Sequence, residues 1–277
     1  GRFGISRPIM KLVALADHHL AVNVGGKDRP DPLRTAATIL PAVPRPPDGD
    51  PVVGRAPRDD RWLRDWLTKS SEAQQRVGAA IADGPFSGLA VTATCWAGMD
   101  SDDLIFAAAS RTVRNLEATM TPRHFPPWVI GNRGTSGIDG LVSTAWGAAV
   151  AHQRQSPDGR TVAILGDLAF LHDHNGLLAP SVEQRPNLTI VVADNNGGGI
   201  FSSLEQGDSD FVADFERVFG TPHDLDLEEI ARAAGITTTS VTDAEQLAVA
   251  LGRDSDGVQI IIARTIDREA EQSQWAG

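Results

Sequence analysis

TVAILGD (residues 161–167) and LTIVVAD (residues 188–194) are the stretches that decide the fold. Each is an uninterrupted apolar run that ends in an aspartate, and such runs are typical of strands buried on both faces of a parallel sheet. About 20 residues separate the two runs, which is enough for a helical crossover between parallel strands. The pair therefore predicts an α/β fold, in which helices flank a parallel sheet on both faces.

The sequence around this pair supplies further elements of the same fold. Apolar residues at helical spacing predict a helix over residues 60–83 and a buried helix face running from Ile138 to Ala149. Ser87 is a candidate N-cap for another helix, which we expect to end near Trp96. Other predicted strands cover residues 103–107, 128–130 and 258–263, and other predicted helices cover 111–119, 172–179, 226–234 and a segment capped by Thr242.

A proline-rich stretch divides the chain into two parts. Residues 41–58 contain six prolines, and because proline fixes φ and lacks an N–H donor, this stretch is predicted to be an extended linker. We expect residues 1–57 to hold a partial domain and the linker, and residues 58–277 to form the main α/β domain.

Composition excludes several classes of protein. The chain has 25 basic and 36 acidic residues and a formal net charge of −11, which argues against a nucleic acid or an anionic membrane as partner. Its single cysteine, Cys95, rules out an internal disulfide and a multi-cysteine zinc site, and its apolar neighbours favour a place in the core. The sequence has no apolar run long enough to span a bilayer and no signal peptide, so we expect a cytoplasmic protein.

Polar residues that follow the two deciding strands predict a metal site. Asp167 and Asn195 lie 28 positions apart, each directly after a predicted strand, so both belong to one edge of the sheet. A carboxylate and an amide oxygen suit Mg²⁺, and Gly166 and residues 197–199 permit close approach of a diphosphate. Each half alone is equally good turn chemistry; the two together indicate a diphosphate–metal anchor.

These residues carry a family resemblance. Gly166-Asp167-Leu168, followed by Asn195-Asn196, resembles the thiamine diphosphate-binding signature, with Leu168 in place of its second glycine. The strings GNRGTSGIDGLVSTAWG, GDLAFLHDHNGLL, VVADNNGGGIF and FGTPHDLDL resemble the 2-succinyl-5-enolpyruvyl-6-hydroxy-3-cyclohexene-1-carboxylate synthase family, also called the MenD family. The resemblance covers residues 58–277, and GRFGISRPIMKLV is similar to the end of that family's middle domain.

The resemblance implies a role for particular residues. Asp167, the Asn195 side chain and the Gly197 carbonyl oxygen would hold Mg²⁺ (Mn²⁺ being the alternative ion), and a register with Asn196 as ligand stays open. Gly166 and Leu168 would contact thiamine diphosphate. Ile138 corresponds to the bulky residue that bends the cofactor, although its spacing is equally that of a core residue. The implied substrate-binding residues are Ser110, Arg114, Arg133, Ile200 and Phe201.

The same resemblance implies an activity and partners. Members of the family decarboxylate 2-oxoglutarate and add the remaining unit to isochorismate, in menaquinone biosynthesis. They act as homo-oligomers (dimers or tetramers) and use a glutamate from an N-terminal pyrimidine-binding domain, which we do not recognise in these 277 residues. Two alternatives remain: another thiamine diphosphate-dependent 2-oxo acid decarboxylase or synthase, and a non-catalytic half that has kept the fold.

Overall fold

The structure is a computed structural model that describes residues 7–22, 31, 33–42, 60–132, 136–180, 182–252 and 257–276. The chain divides into two compact units, Gly1–Lys69 and Ser70–Gly277. The described part of the first unit has a helix and a two-stranded parallel sheet: α1 (Arg7–Ala14), β1 (Leu20–Val22) and β2 (Thr38–Leu40). Helix α2 (Arg61–Ala82) runs across the division, and the domain boundary after residue 57 stays a prediction.

The second unit is built on a six-stranded parallel sheet, which confirms the predicted fold class. Its strands pair in the order β4-β3-β5-β6-β8-β7, and every pairing is parallel. The strands are β3 (Leu104–Ala107), β4 (Trp128–Ile130), β5 (Thr161–Gly166), β6 (Leu188–Asp194), β7 (Thr237–Val241) and β8 (Val258–Arg264).

Helices cover both faces of this sheet, since the strands bury side chains on each side. The helices that pack on the sheet are α3 (Gly88–Ala97), α4 (Arg111–Thr119), α5 (Leu141–Gln153), α6 (Asp167–Asp173), α8 (Leu227–Ala233) and α9 (Ala244–Leu251). Two further helices, α7 (Val212–Phe215) and α10 (Arg268–Ala276), follow β6 and β8 in the chain. One core joins α5, α6 and α8 to the sheet through Leu141, Phe170 and Leu227. The other joins α3, α4 and α9 to the opposite face, and it contains Cys95, as the sequence predicts.

The strand order reverses beside β3. From β3 the chain moves outward to the edge strand β4 and then returns to the other side of β3 to form β5. Loops that leave neighbouring strands in opposite directions open a crevice at the carboxyl ends of those strands, and ligands of open α/β sheets bind there. The crevice places the segments after Ala107, Gly166 and Asp194 next to one another.

Two local predictions are wrong, and two elements have no counterpart among the predictions. The helix predicted over 172–179 begins at Asp167, immediately after β5, because Ala169 and Phe170 bury their side chains in the core; only a 3₁₀ turn (His174–Leu177) follows it. The N-cap of α9 is Asp243 instead of Thr242, since the Asp243 carboxylate accepts the Gln246 N–H. Strand β7 was not predicted because TTTSV lacks an apolar run, and α10 was not predicted because its sequence is polar.

Two further observations concern the helices. The predicted cap residue of α3, Ser87, does occupy the N-cap position, but its side chain makes no capping hydrogen bond. Among the residues that the structure describes, no helix combines the length and the apolar character that a membrane span requires.

Candidate functional site

A cavity of about 490 Å³ opens at the carboxyl ends of β3, β5 and β6. Arg133, one of the predicted substrate-binding residues, lies outside the described residues. Asn196, the alternative ligand, is not among the lining residues, whereas all the others predicted for the site line the cavity: Ser110, Arg114, Ile138, Gly166, Asp167, Leu168, Asn195, Gly197, Ile200 and Phe201. The structure therefore brings together residues that the sequence spreads over some 90 positions.

Asp167 lines the cavity as the first residue of α6. It is only 2% exposed, and both carboxylate oxygens accept hydrogen bonds from backbone amides. The Leu168 N–H donates to Oδ1 (2.6 Å) and the Gly197 N–H donates to Oδ2 (2.7 Å). A buried carboxylate needs such donors, and here they also tie the end of β5 to the loop that follows β6.

The loop after β6 requires its glycines. Gly197 has φ of +137°, and a Cβ atom there would lie 2.2 Å from the Gly220 carbonyl oxygen. A Cβ atom on Gly198 would lie 2.1 Å from the Phe219 carbonyl oxygen. Backbone at such short range cannot yield to a side chain, so these glycines let residues 195–199 pack closely against residues 219–220.

The two asparagines of the loop do different things. The Asn196 side chain is turned to the segment before α8: its Oδ1 accepts the backbone N–H groups of His223 (3.0 Å) and Asp224 (3.1 Å), and its Nδ2 donates to Asp224 Oδ1 (2.8 Å). Asn195 lines the cavity instead. The geometry therefore favours Asn195 as the cation ligand and gives Asn196 the role of holding the adjoining turn.

A second carboxylate and a histidine adjoin Asp167. Ligand atoms of Asp167, Asp194 and His223 lie within 4.8 Å of one another. His223 Nε2 lies 3.4 Å from Asp167 Oδ2 and 3.8 Å from Asp194 Oδ1. The Leu225 N–H donates to His223 Nδ1 (3.1 Å), which makes Nδ1 the acceptor and assigns the proton of the neutral ring to Nε2, facing Asp167.

Charges and burial perturb the titration of this cluster. The hydrogen bond to Asp167 raises the pKa of His223, although burial acts in the opposite direction. Burial, and then the Asp167 charge, raise the pKa of Asp194. The Asp167 charge contributes to both shifts, so negative charge is concentrated around Asp167, and a divalent cation would neutralise it.

The donor chemistry of the wall fits Mg²⁺ or Mn²⁺. A buried carboxylate, an amide side chain and a glycine carbonyl are hard oxygen donors, and Mg²⁺ takes few protein ligands together with phosphate oxygens. A Cβ atom on Gly166 would meet nothing within 4 Å, so the wall beside Asp167 is open to a bulky ligand. The residues present therefore fit a metal–diphosphate group.

Basic and apolar side chains form the rest of the cavity. Arg114 Nη1 donates to the Ser110 carbonyl oxygen, and Arg111 Nη2 donates to the Gly199 carbonyl oxygen (2.6 Å). Phe201 packs on Phe219 with ring centroids 5.4 Å apart. The cavity thus combines acidic, basic and apolar walls, an arrangement that suits an anionic ligand with an organic body.

Several residues of the site are not predicted from the sequence. Arg111 and Glu271 line the cavity, and Arg268 Nη1 donates to the Asn196 carbonyl oxygen (3.2 Å). Glu271 and Arg268 belong to α10, whose polar sequence gives no sign that these side chains are buried. His223 was not predicted either. It is the one residue of this group that the sequence could have indicated, because it lies inside one of the strings that carry the family resemblance.

Comparison with known proteins agrees with this geometry. Residues 117–262 match the family described as thiamine pyrophosphate enzyme, C-terminal TPP binding domain. The chain is 43% identical to the 2-succinyl-5-enolpyruvyl-6-hydroxy-3-cyclohexene-1-carboxylate synthase of Thermobifida fusca over 271 residues, which are 98% of this chain and 46% of that protein. It is 44% identical to the synthase of the same name from Nocardia farcinica over 212 residues, 76% of this chain and 37% of that protein.

The chain thus spans less than half the length of these relatives. Their similarity nevertheless extends over most of the 277 residues, including the cavity. The chain belongs to the thiamine pyrophosphate enzymes through this C-terminal TPP-binding domain, and among them to the MenD family.

Proposed function

We propose that this chain is the diphosphate-binding part of a thiamine diphosphate-dependent synthase. The synthase would decarboxylate 2-oxoglutarate and join the remaining four-carbon unit to isochorismate, giving 2-succinyl-5-enolpyruvyl-6-hydroxy-3-cyclohexene-1-carboxylate. One observation carries the proposal: buried Asp167 and the loop of residues 195–199 line the same cavity, and the Gly197 N–H donates to the Asp167 carboxylate. The name and similarity of the relatives support it.

In this proposal the chain's own residues hold the cofactor by its charged end. Asp167, Asn195 and the Gly197 carbonyl oxygen would bind Mg²⁺ or Mn²⁺, and the ion would neutralise the diphosphate. Leu168 and Ile138 would flank the organic part of the cofactor, since both line the cavity. When bound, thiamine diphosphate supplies the electron sink for decarboxylation.

The basic side chains would recognise the substrates, each of which carries two carboxylates. Arg114 lines the cavity with its guanidinium held by the Ser110 backbone, and Arg133 is proposed to join it. A guanidinium fork matches a carboxylate in shape and charge. Ile200 and Phe201 would give isochorismate an apolar wall and exclude water from the reacting atoms.

Calorimetric titration of the chain with thiamine diphosphate, with and without Mg²⁺, tests the anchor. We expect binding that depends on Mg²⁺ and that Asp167→Ala abolishes, because the buried carboxylate is the only charged ligand of the proposed set. Asp102→Ala is the matched control, since Asp102 is an exposed carboxylate and does not line the cavity. Equal binding by Asp167→Ala and the unsubstituted chain would rule out the assigned anchor.

The substrate assignment needs a complete catalytic centre. We propose that the centre also needs a pyrimidine-binding domain with its glutamate, which the family resemblance implies and which the additional length of the relatives can accommodate. The assay combines this chain with such a domain and offers 2-oxoglutarate with isochorismate, or pyruvate alone. Release of CO₂ from pyruvate, without turnover of 2-oxoglutarate, would favour a different thiamine diphosphate enzyme.

A further inference from the structure

Glu271 brings a buried carboxylate from the last helix to the cavity. It is 3% exposed, although it lies on the polar helix α10 near the end of the chain. Its Oε2 accepts the side-chain Nδ2 of Asn195 (2.8 Å), and its Oε1 accepts the backbone N–H of Gly88 (2.6 Å). One side chain thus joins α10 to the loop after β6 and to the first residue of α3.

The hydrogen bond to Asn195 has a chemical consequence. A carboxylate only accepts hydrogen bonds, whereas a carboxamide has a donating end and an accepting end. Because Glu271 accepts from Asn195, the NH₂ group of Asn195 must face Glu271, and Oδ1 must point away from it. Only Oδ1 can ligate a hard cation, so this contact selects the orientation of Asn195 that metal binding requires.

The surroundings show that Glu271 is closely fitted. A Cβ atom on Gly88 would lie 2.5 Å from Glu271 Oε1 and 2.4 Å from Asn115 Nδ2, so only glycine lets the carboxylate reach this amide. Arg111 compensates the charge: burial lowers the pKa of Arg111, and the nearby Glu271 carboxylate acts in the opposite direction. Buried charges persist where such partners are present.

We propose that Glu271 is a positioning residue for the metal site, which holds the Asn195 carboxamide with its oxygen available to the cation. The inference rests on the proposed function, since it takes Asn195 as a metal ligand. Groups that orient metal ligands commonly contribute 10- to 100-fold to metal affinity. Glu271 itself touches neither metal nor cofactor in this proposal, because both of its oxygens are engaged by Asn195 and Gly88.

Replacement of the carboxylate by an amide is the most direct test. In Glu271→Gln the new NH₂ group replaces one of the two accepting oxygens. Two donors then face each other, either at the Gly88 N–H or at the Asn195 NH₂. Rotation of Asn195 relieves the conflict and turns its NH₂ toward the cation. We expect Mn²⁺ affinity, measured by electron paramagnetic resonance with thiamine diphosphate present, to fall about 10- to 100-fold. Glu269→Gln, the same change at an exposed position of α10, is the control.

A paired substitution separates positioning from mere structural support. When Asn195→Asp is added to Glu271→Gln, the new amide at 271 donates to a carboxylate at 195, and the other carboxylate oxygen is available to the cation. The double variant should regain most of the Mn²⁺ affinity that Glu271→Gln loses. Asn195→Asp alone should bind Mn²⁺ more weakly than the unsubstituted chain, because it places two carboxylates face to face. Additive effects of the two changes in this cycle would contradict the proposal.

The outcomes distinguish this inference from the proposed function. Mn²⁺ binding by the unsubstituted chain with equal binding by Glu271→Gln overturns the inference alone. Failure of the unsubstituted chain to bind Mn²⁺ with thiamine diphosphate overturns the proposed function. The orientation itself is tested without metal by NMR: the Asn195 side-chain NH₂ should exchange slowly with solvent in the unsubstituted chain, and exchange as fast as that of an exposed asparagine would overturn the inference.

Discussion

At the scale of single residues, the site is marked by unusual backbone. Among the described residues other than glycine, Ser110, Asn196, Thr221 and Asp224 have positive φ and lie in or beside the cavity wall, with Arg34 in the other unit as a further case. Such conformations cost on the order of 1–3 kcal/mol each and persist where surrounding contacts enforce them. Here the enforcing contacts are the hydrogen bonds that shape the cavity.

Ser110 gives a direct test of this strain. Its φ of 75° and ψ of −131° suit glycine and no residue with a Cβ atom. Ser110→Gly should therefore raise the free energy of unfolding by about 1 kcal/mol, as measured by urea denaturation. It keeps the carbonyl oxygen that accepts Arg114 Nη1.

Ser110→Ala is the matched control, because it also removes the hydroxyl but keeps the Cβ atom. The alanine variant should gain no stability. Equal stability of the two variants would show that the backbone at position 110 stores no strain. Any ligand contact of the hydroxyl is lost in both variants, so the difference between them reports on backbone conformation alone.

Asn195 and Asn196 make a second residue-scale prediction. Asn196→Ala removes the acceptor of two backbone N–H groups, at His223 and Asp224, and should lower the free energy of unfolding by about 2 kcal/mol. Asn195→Ala should weaken Mg²⁺-dependent binding of thiamine diphosphate more strongly than Asn196→Ala does. Calorimetry and urea denaturation of the two variants check both effects, and the reverse order in binding would make Asn196 the ligand.

At the scale of elements, the sheet separates the site from a structural ion pair. Asp103 precedes β3 at the amino end of the strand, whereas the cavity lies at the carboxyl end. Its carboxylate is 6% exposed and accepts the backbone N–H groups of Asp100 (2.9 Å) and Arg160 (2.8 Å), together with Arg160 Nη2 (3.1 Å). This set fixes the starts of β3 and β5 side by side.

Asp103→Asn should therefore affect stability and leave binding unchanged. The amide has one accepting end for several donors, so the free energy of unfolding should fall by about 2 kcal/mol. Mg²⁺-dependent binding of thiamine diphosphate at a temperature well below the unfolding transition should not change. Asp102→Asn, at the exposed neighbouring position, controls for charge. Weaker cofactor binding by folded Asp103→Asn would contradict this separation.

The elements also show which features the sequence predicts. The boundaries of α4, β4 and β6 match the prediction to the residue, because apolar runs and helical spacing are local signals. Strand β7 and helix α10 are not predicted, since their polar residues are placed by contacts with distant parts of the chain. The cavity was predicted through Asp167 and Asn195, whereas Glu271 became evident only when the fold brought position 271 to position 195.

At the scale of the whole molecule, the site lies within one of the two compact units. Among the residues that the structure describes, those that line the cavity all fall between Gly88 and Glu271, and the second unit is Ser70–Gly277. The first unit ends within α2, which begins at Arg61. The division predicts that residues 1–59 can be removed without loss of the metal–diphosphate anchor.

A shortened chain of residues 60–277 tests this division. It keeps α2 entire, the six-stranded sheet and both cores, so it should unfold in urea at the same midpoint as the second unit of the 277-residue chain. Its affinity for thiamine diphosphate with Mg²⁺ should stay within about threefold of that of the 277-residue chain, a difference of about 0.7 kcal/mol. Asp167→Ala in the shortened chain is the negative control. A folded short chain that has lost Mg²⁺-dependent binding would contradict this prediction.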